Sequence, residues 1–216
     1  QADGILVLSN RLDVDTVGAL RRQTTPFVLI GRPPANYADV PWVDADNDRY
    51  TRIAVEHLIE LGHQRIAFVG GDPEVAVTRE RLQGYTLAMK AAGLRQRSAW
   101  IDYAYFAEEG GYKSVQRMLQ LGEDVPTAYY AANDLMAIGI LRALRQANIA
   151  VPDAVSVIGT NDSPEAQHVF PALTTLRVPY AEMAEVATEI LIASIENNAP
   201  SAQRYVDCEL LIRNST

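Results

Sequence analysis

Two α/β lobes built on parallel sheets, the first lobe incomplete, are the architecture this sequence predicts. Three observations carry the prediction. Short β-branched runs alternate with longer stretches of helical period, the pattern of strand–helix–strand crossovers. Two passages break that rhythm, the proline-rich segment from Arg32-Pro33-Pro34 to Val43-Asp44 and the extended Leu173-Thr174-Thr175-Leu176-Arg177-Val178-Pro179, and a third break follows near Pro200. Ala2-Asp3-Gly4 runs into the apolar Ile5-Leu6-Val7-Leu8 without a preceding cap, so the chain is expected to begin inside a domain.

Taken in order, strands are expected at 4–8, 27–31, 65–70, 100–104, 127–131, 155–159, 174–177 and 205–212, with a further short one around Trp42. Helices are expected at 13–23, 46–62, 79–93, 109–122, 133–148 and 180–197, where apolar residues recur at spacings of three and four. In the second of these, Ile53, Ala54, His57, Leu58 and Leu61 fall on one face. Gly62, Gly93 and Gly122 stand where left-handed helix caps are commonly required. Reading the three breaks as crossings assigns residues 1–43 and 180–202 to one lobe and 45–177 and 205–212 to the other. A ligand cleft is expected between two such lobes.

Composition sets the class of partner. With 48% hydrophobic and 21% charged residues, the 216-residue chain has the balance of a soluble globular protein. No stretch approaches the roughly 20 apolar residues that span a bilayer, so no membrane partner is expected. A net charge of −8 repels phosphate backbones, and any nucleic-acid contact must come from elsewhere. The single cysteine, Cys208, rules out an internal disulfide framework and suits the cytoplasm.

Motifs for catalysis are missing. Asp44-Ala45-Asp46-Asn47-Asp48 resembles the start of a calcium loop, but Arg49 replaces the required Gly and Val55 the required Glu, leaving the acids as helix caps. His57, His63 and His168 have no metal-ligand spacing. There is no P-loop, nucleophile elbow or dinucleotide fingerprint, and Gly70-Gly71 reads as a turn. Cys208, expected in a strand between Asp207 and Glu209, lacks an activating environment. No enzyme activity, metal or cofactor is expected.

Polar residues instead gather after strands, where open parallel sheets bind ligands. Asn133-Asp134 follows the strand at 127–131, Asn161-Asp162 follows that at 155–159, and the loop after 65–70 leads through Asp72-Pro73 to Thr78, Arg79 and Arg81. Amides, carboxylates and forked guanidiniums suit the paired donors and acceptors of vicinal hydroxyls. Phe106 and Tyr180 offer flat faces to a sugar or base ring. Arg32 is a further candidate contact. Each pair alone is better explained by capping or surface decoration; the convergence of three loops favours a site.

At these residues the sequence resembles the effector core of the lactose/galactose-repressor (LacI/GalR) family of bacterial transcriptional regulators. The resemblance is carried by the runs His57-Leu58-Ile59-Glu60-Leu61-Gly62-His63-Gln64-Arg65-Ile66-Ala67-Phe68, Arg81-Leu82-Gln83-Gly84-Tyr85 and Ala132-Asn133-Asp134-Leu135-Met136-Ala137-Ile138-Gly139. It continues through Val151-Pro152-Asp153-Ala154-Val155-Ser156-Val157-Ile158-Gly159 and Pro171-Ala172-Leu173-Thr174-Thr175-Leu176. It implies a periplasmic-binding-protein-like fold of type I, two Rossmann-like lobes whose closure on a sugar, sugar phosphate or purine alters operator affinity in a homodimer. DNA would be read by a helix-turn-helix that this chain lacks. By position, Arg81, Asn133 and Asn161 resemble the family's contacts to effector hydroxyls, with Asp162 beside them and Phe106 and Tyr180 as aromatic walls. Two departures remove carboxylates: the family often has Asp where Asn161 and Gly31 stand, which favours a more acidic ligand, with Arg32 and Arg79 at hand. Helix 133–148, through Met136, Ile140 and Leu144, is expected either to face a dimer partner or to fill its own core. The alternative function is a periplasmic sugar-binding protein of a transporter, which shares the two-lobed fold.

Overall fold

The computed structural model describes residues 2–9, 12–197 and 202–216; the expected crossing near Pro200 lies outside them. In chain order the elements are β1 (Ile5–Leu8), α1 (Val14–Arg21), β2 (Phe27–Ile30), β3 (Trp42–Ala45), α2 (Asn47–Glu60), β4 (Ile66–Gly70), α3 (Ala76–Ala91), β5 (Ile101–Tyr103) and α4 (Glu108–Met118). There follow β6 (Ala128–Ala131), α5 (Asp134–Gln146), β7 (Ser156–Thr160), α6 (Pro164–His168), β8 (Thr174–Arg177), α7 (Tyr180–Asn197), β9 (Gln203–Val206) and β10 (Glu209–Leu211). They form two compact units, Gln1–Asp46 with Pro179–Asp207, and Asn47–Val178 with Cys208–Thr216.

The first unit carries a parallel sheet in the order β1-β2-β3-β9. Asp13 starts α1 by accepting from the Thr16 amide at 2.7 Å, satisfying one of the donors a helix leaves open at its first turn. Val17, Leu29, Val40 and Trp42 form its small core. α7 lies against β2 and β3 and buries Met183, Ala187 and Leu191, spaced four apart as one helix face requires.

The second unit is larger, a six-stranded sheet in the order β10-β8-β7-β6-β4-β5. Its strands are parallel except β10, which runs antiparallel to β8. β4, β6 and β7 are buried at every position, as parallel strands covered by helices on both faces must be. The cover comes from two helix pairs, α2 with α3 and α4 with α5, which right-handed crossovers send to opposite faces. Both pairs pack backbone to backbone: a Cβ on Gly84 of α3 would strike the Asp48 carbonyl, and one on Gly139 of α5 the Glu108 carbonyl.

Several expectations need correction. The run 205–212 is not one strand. Gln203–Val206 pairs with β3 in the first sheet, Glu209–Leu211 pairs with β8 in the second, and Asp207-Cys208 connects them. A short run rich in apolar residues reads as a strand in either sheet, so local pattern does not show the change of partner. Cys208 is therefore outside any strand, half-buried against the larger core. The helix expected to reach 122 ends at Met118 and tightens into 3-10 turns through Asp124, with Gly122 at φ +62°. The face expected on α2 is rotated: Tyr50, Thr51, Ala54, Val55 and Leu58 are buried, while Leu61 is half exposed. Met136, Ile140 and Leu144 are fully buried, so that stripe of α5 is the unit's own core.

β6 places two tyrosines side by side with opposite fates. Tyr130 hydrogen-bonds Thr51 Oγ1 at 2.9 Å and Thr160 Oγ1 at 3.0 Å. Tyr129 points to the other face, fully buried, and its hydroxyl has no partner among the described residues. An unpaired buried hydroxyl costs more than its hydrogen bond would return. Tyr129→Phe is accordingly expected to raise unfolding free energy by about 1 kcal/mol in chemical denaturation, and Tyr130→Phe to lower it; a destabilised Tyr129→Phe would contradict the packing described.

Candidate functional site at the sheet rim of the second unit

The strand order of the larger sheet reverses direction between β4 and β6. From β4 the chain steps to β5 on one side, whereas β6, β7 and β8 run to the other. At such a switch point the connections diverge and leave a crevice beyond the carboxyl ends of the strands. The loops arriving there are Gly70-Gly71 before α3, Ala132-Asn133 before α5 and, one strand further, Asn161-Asp162-Ser163 before α6.

Arg81, in the second turn of α3, is only 6% exposed. Its Nε donates to Asn47 Oδ1 at 3.1 Å and its Nη1 to the Ala132 carbonyl, which leaves Nη2 without a partner among the described residues. Asn47 is buried too and passes the contact on, Nδ2 donating to Glu80 Oε2 at 3.1 Å. Asn133 caps α5: its Oδ1 accepts from the Met136 amide at 2.8 Å, while its Nδ2 donates to the Phe106 carbonyl at 3.1 Å. The ends of β6 and β5 are thereby tied together. Phe106 and its neighbour Tyr105 are both left-handed, at φ +62° and +52°. The Phe106 ring lies over Gly71, where any Cβ would run into it, so the glycine is what lets the ring settle on the rim.

The third loop holds the second left-handed pair, Asn161 at φ +114° and Asp162 at +54°. The Asn161 amide donates to the Leu176 carbonyl at 2.7 Å. Both oxygens of Asp162 are taken: Arg177 Nε donates to Oδ2 at 2.9 Å and Arg213 Nη2 to Oδ1 at 2.5 Å. Burial pushes the Asp162 carboxyl up, but the hydrogen bonds and charges of Arg213 and Arg177 together outweigh it and hold the group below the ordinary range. Asp134 shows the opposite balance. Burial comes first and pushes it up to about 6, against hydrogen bonds from Thr175 Oγ1 and the Ser163 amide, both at 2.6 Å.

Of the residues singled out in the sequence, Arg81, Asn133 and Phe106 are joined at the switch point, and Asn161 and Asp162 stand on the neighbouring loop. Thr78 is fully buried, its hydroxyl without a partner among the described residues. Arg79 turns back to the Pro73 and Glu74 carbonyls. Arg32 and Tyr180 belong to the first unit. There Arg32 donates to Tyr205 Oη at 2.8 Å and covers its ring, and Tyr180 is half exposed at the start of α7. The histidines serve the scaffold. His63 bridges Thr127 Oγ1 and Ser156 Oγ at the amino ends of β6 and β7, away from the rim. Asn47, Gly71, Arg177 and Arg213 were not anticipated. Asn47 was hidden in an apparent capping run and Gly71 in an apparent turn, while the two arginines stand in no motif.

A sheet of this order with polar loops at its switch point is the architecture of a ligand-binding module, and residues 55–216 match the periplasmic binding protein-like domain. The CelR transcriptional regulator of Thermobifida fusca is 34% identical over 215 residues, covering 99% of this chain and 63% of that protein. A LacI-family regulatory protein from Chloroflexus aggregans superposes with a TM-score of 0.94 at 35% identity, over 99% of this chain and 76% of that one. A CelR–cellobiose complex superposes with a TM-score of 0.92 at 33% identity, over 99% and 66% respectively. The chain belongs to the LacI family of transcriptional regulators, of which it carries the periplasmic binding protein-like portion. It spans 63% of the length of the CelR relative.

The raised Asp134 carboxyl gives a pH signature. Between pH ~4 and ~6 the folded chain holds a proton that the unfolded chain has released, so this group's contribution to stability is complete below the unfolded value and lost as pH rises through the folded one. Asp134→Asn removes that loss. The variant should gain on the wild type by roughly 3 kcal/mol between pH 4 and 7, the equivalent of moving a carboxyl from 3.8 to about 6. Parallel urea titrations at several pH values would measure it, and a pH-independent gap would count against a buried protonated Asp134.

Proposed function

We propose that this chain is the effector-sensing core of a LacI-type regulator, binding a sugar, sugar phosphate or purine at the carboxyl rim of its larger sheet. The observation that carries the reading is the convergence at one switch point of the Arg81 guanidinium, the Asn133 amide and the Phe106 ring, with Asn161 on the adjacent loop. Since both Asp162 oxygens are occupied by arginines, hydrogen bonding to the effector falls to guanidinium and amide groups. That composition favours a ligand rich in acceptors. Operator DNA is then contacted by parts of the regulator outside the matched span, in keeping with the net charge of −8 on this chain. Effector binding shifts operator affinity only to the extent that the effector distinguishes the regulator's states.

A second copy of the chain is the proposed partner. Leu135 and Ile138, on the outer side of α5, line a groove with His168 and Val169, and Phe170 beside it is 85% exposed. Contiguous exposed apolar side chains mark interaction surfaces, and a self-complementary patch closes a two-fold dimer.

Two measurements test these readings. In a thermal-shift screen over cellobiose, other sugars, sugar phosphates and purines, at least one compound should raise the melting temperature of the wild type, since a ligand of the folded state alone stabilises it. Arg81→Lys should abolish the shift; a shift that survives this change would remove Arg81 from the site. For the dimer, Ile138→Asp should convert the species seen in sedimentation velocity at micromolar concentration from two copies to one, with the far-ultraviolet circular dichroism unchanged.

A further inference from the structure

We propose that Arg213, acting with Arg177 through the Asp162 carboxylate, is a positioning residue of the rim: it holds Asn161 in a backbone conformation that the loop would not otherwise keep. The inference rests on the reading that this rim binds the effector, and it gives Asp162 a holding role in place of a ligand contact.

The starting point is the backbone. Asn161 at φ +114° lies beyond the left-handed helical basin, in a region a residue with a Cβ rarely adopts, and it is followed directly by a second left-handed residue. Such a pair persists only where the surroundings over-determine it. Here they do. Three successive amides are fixed: Asn161 to the Leu176 carbonyl at 2.7 Å, Asp162 to Thr175 Oγ1 at 3.4 Å and Ser163 to Asp134 Oδ2 at 2.6 Å. The Asp162 side chain, 6% exposed, is gripped at both oxygens.

The two grips differ. Arg177 is 48% exposed and shares its guanidinium with Glu209 at 3.4 Å. Arg213 is 17% exposed and anchored on its own account, Nη1 donating to the Leu173 carbonyl at 2.8 Å and its amide to Thr174 Oγ1 at 2.9 Å. The residues after it are sewn into the sheet. Ser215 accepts the Val157 amide at 2.8 Å and returns its hydroxyl to the Val157 carbonyl at 2.6 Å, and it also accepts the Thr174 amide at 2.8 Å. The tail therefore presents Arg213 from a rigid base, and a fork with one prong on Leu173 and the other on Asp162 spans the two loops that flank α6.

The test is amide hydrogen exchange, read residue by residue by NMR on the whole chain, for the wild type, Arg213→Met, Arg213→Lys and Arg177→Met. Arg213→Met should speed exchange at Asn161, Asp162 and Ser163 by tenfold or more while Tyr129–Ala131 in β6 keep the wild-type rate. Arg213→Lys should recover part of the protection, and Arg177→Met, which removes the exposed grip, should show a smaller rim-confined effect. No change at the rim, or equal acceleration at the rim and in β6, would overturn the proposal, the second outcome marking Arg213 as a general stabiliser. With cellobiose as the binding probe in calorimetry, Arg213→Met should weaken affinity at least tenfold, and unaltered affinity would likewise overturn it. A wild-type chain that binds neither cellobiose nor any compound of the thermal-shift screen would sink the effector reading, while the exchange comparison still decides whether the clamp exists.

Discussion

A parallel strand covered by helices on both faces can offer chemistry only at its ends, and the second unit is organised by that constraint. β4, β6 and β7 are buried at every position, so a polar side chain there needs a partner inside the unit. The Thr51–Tyr130–Thr160 chain does so, ending on the Ala131 carbonyl at 3.1 Å. The polar groups that gather beyond the strand ends stand on the loops. Because the strand order reverses between β4 and β6, the loops after these strands part and leave their polar groups at one rim. The same ordering that makes the core apolar thus gathers polar groups at the rim.

Most charged groups at the rim have partners in the fold. Arg81 is nearly buried, and its cost of desolvation is offset by Asn47 and the Ala132 carbonyl. Truncating it to alanine strips two buried acceptors of their donor, so this residue belongs to the fold as well as to the site. Asp134 and Asp162 stand at the starts of neighbouring elements with opposite titration behaviour. Asp162 has two guanidiniums and stays charged; Asp134 has hydroxyl and amide donors, with burial as the dominant influence.

What the sequence made legible was what local pattern controls. Alternating runs located the strands to within a residue or two, and Asn133 announced its helix because an Asn before an apolar period is a cap. What it hid depends on partners distant in the chain. The split of 205–212 between two sheets cannot be read from the run, because its partners β3 and β8 are distant in the chain. The stripe of Met136, Ile140 and Leu144 had two equal readings because helical period gives a face and not its neighbour. Asn47 lies 34 residues from Arg81, and Arg213 lies 51 from Asp162, so neither contact could be read from spacing.

Similarity to a LacI-family regulator at a TM-score of 0.94 but 35% identity locates the question of specificity. The frame is shared, and a fold does not by itself select a ligand. In this chain an amide occupies position 161 in a constrained backbone, followed directly by an aspartate that faces two arginines. An aspartate at 161 would add a second carboxylate next in sequence to Asp162, whereas asparagine keeps donor and acceptor without that charge. A carboxylate whose two oxygens are satisfied by Arg177 and Arg213 thus stands directly after a neutral amide in this loop.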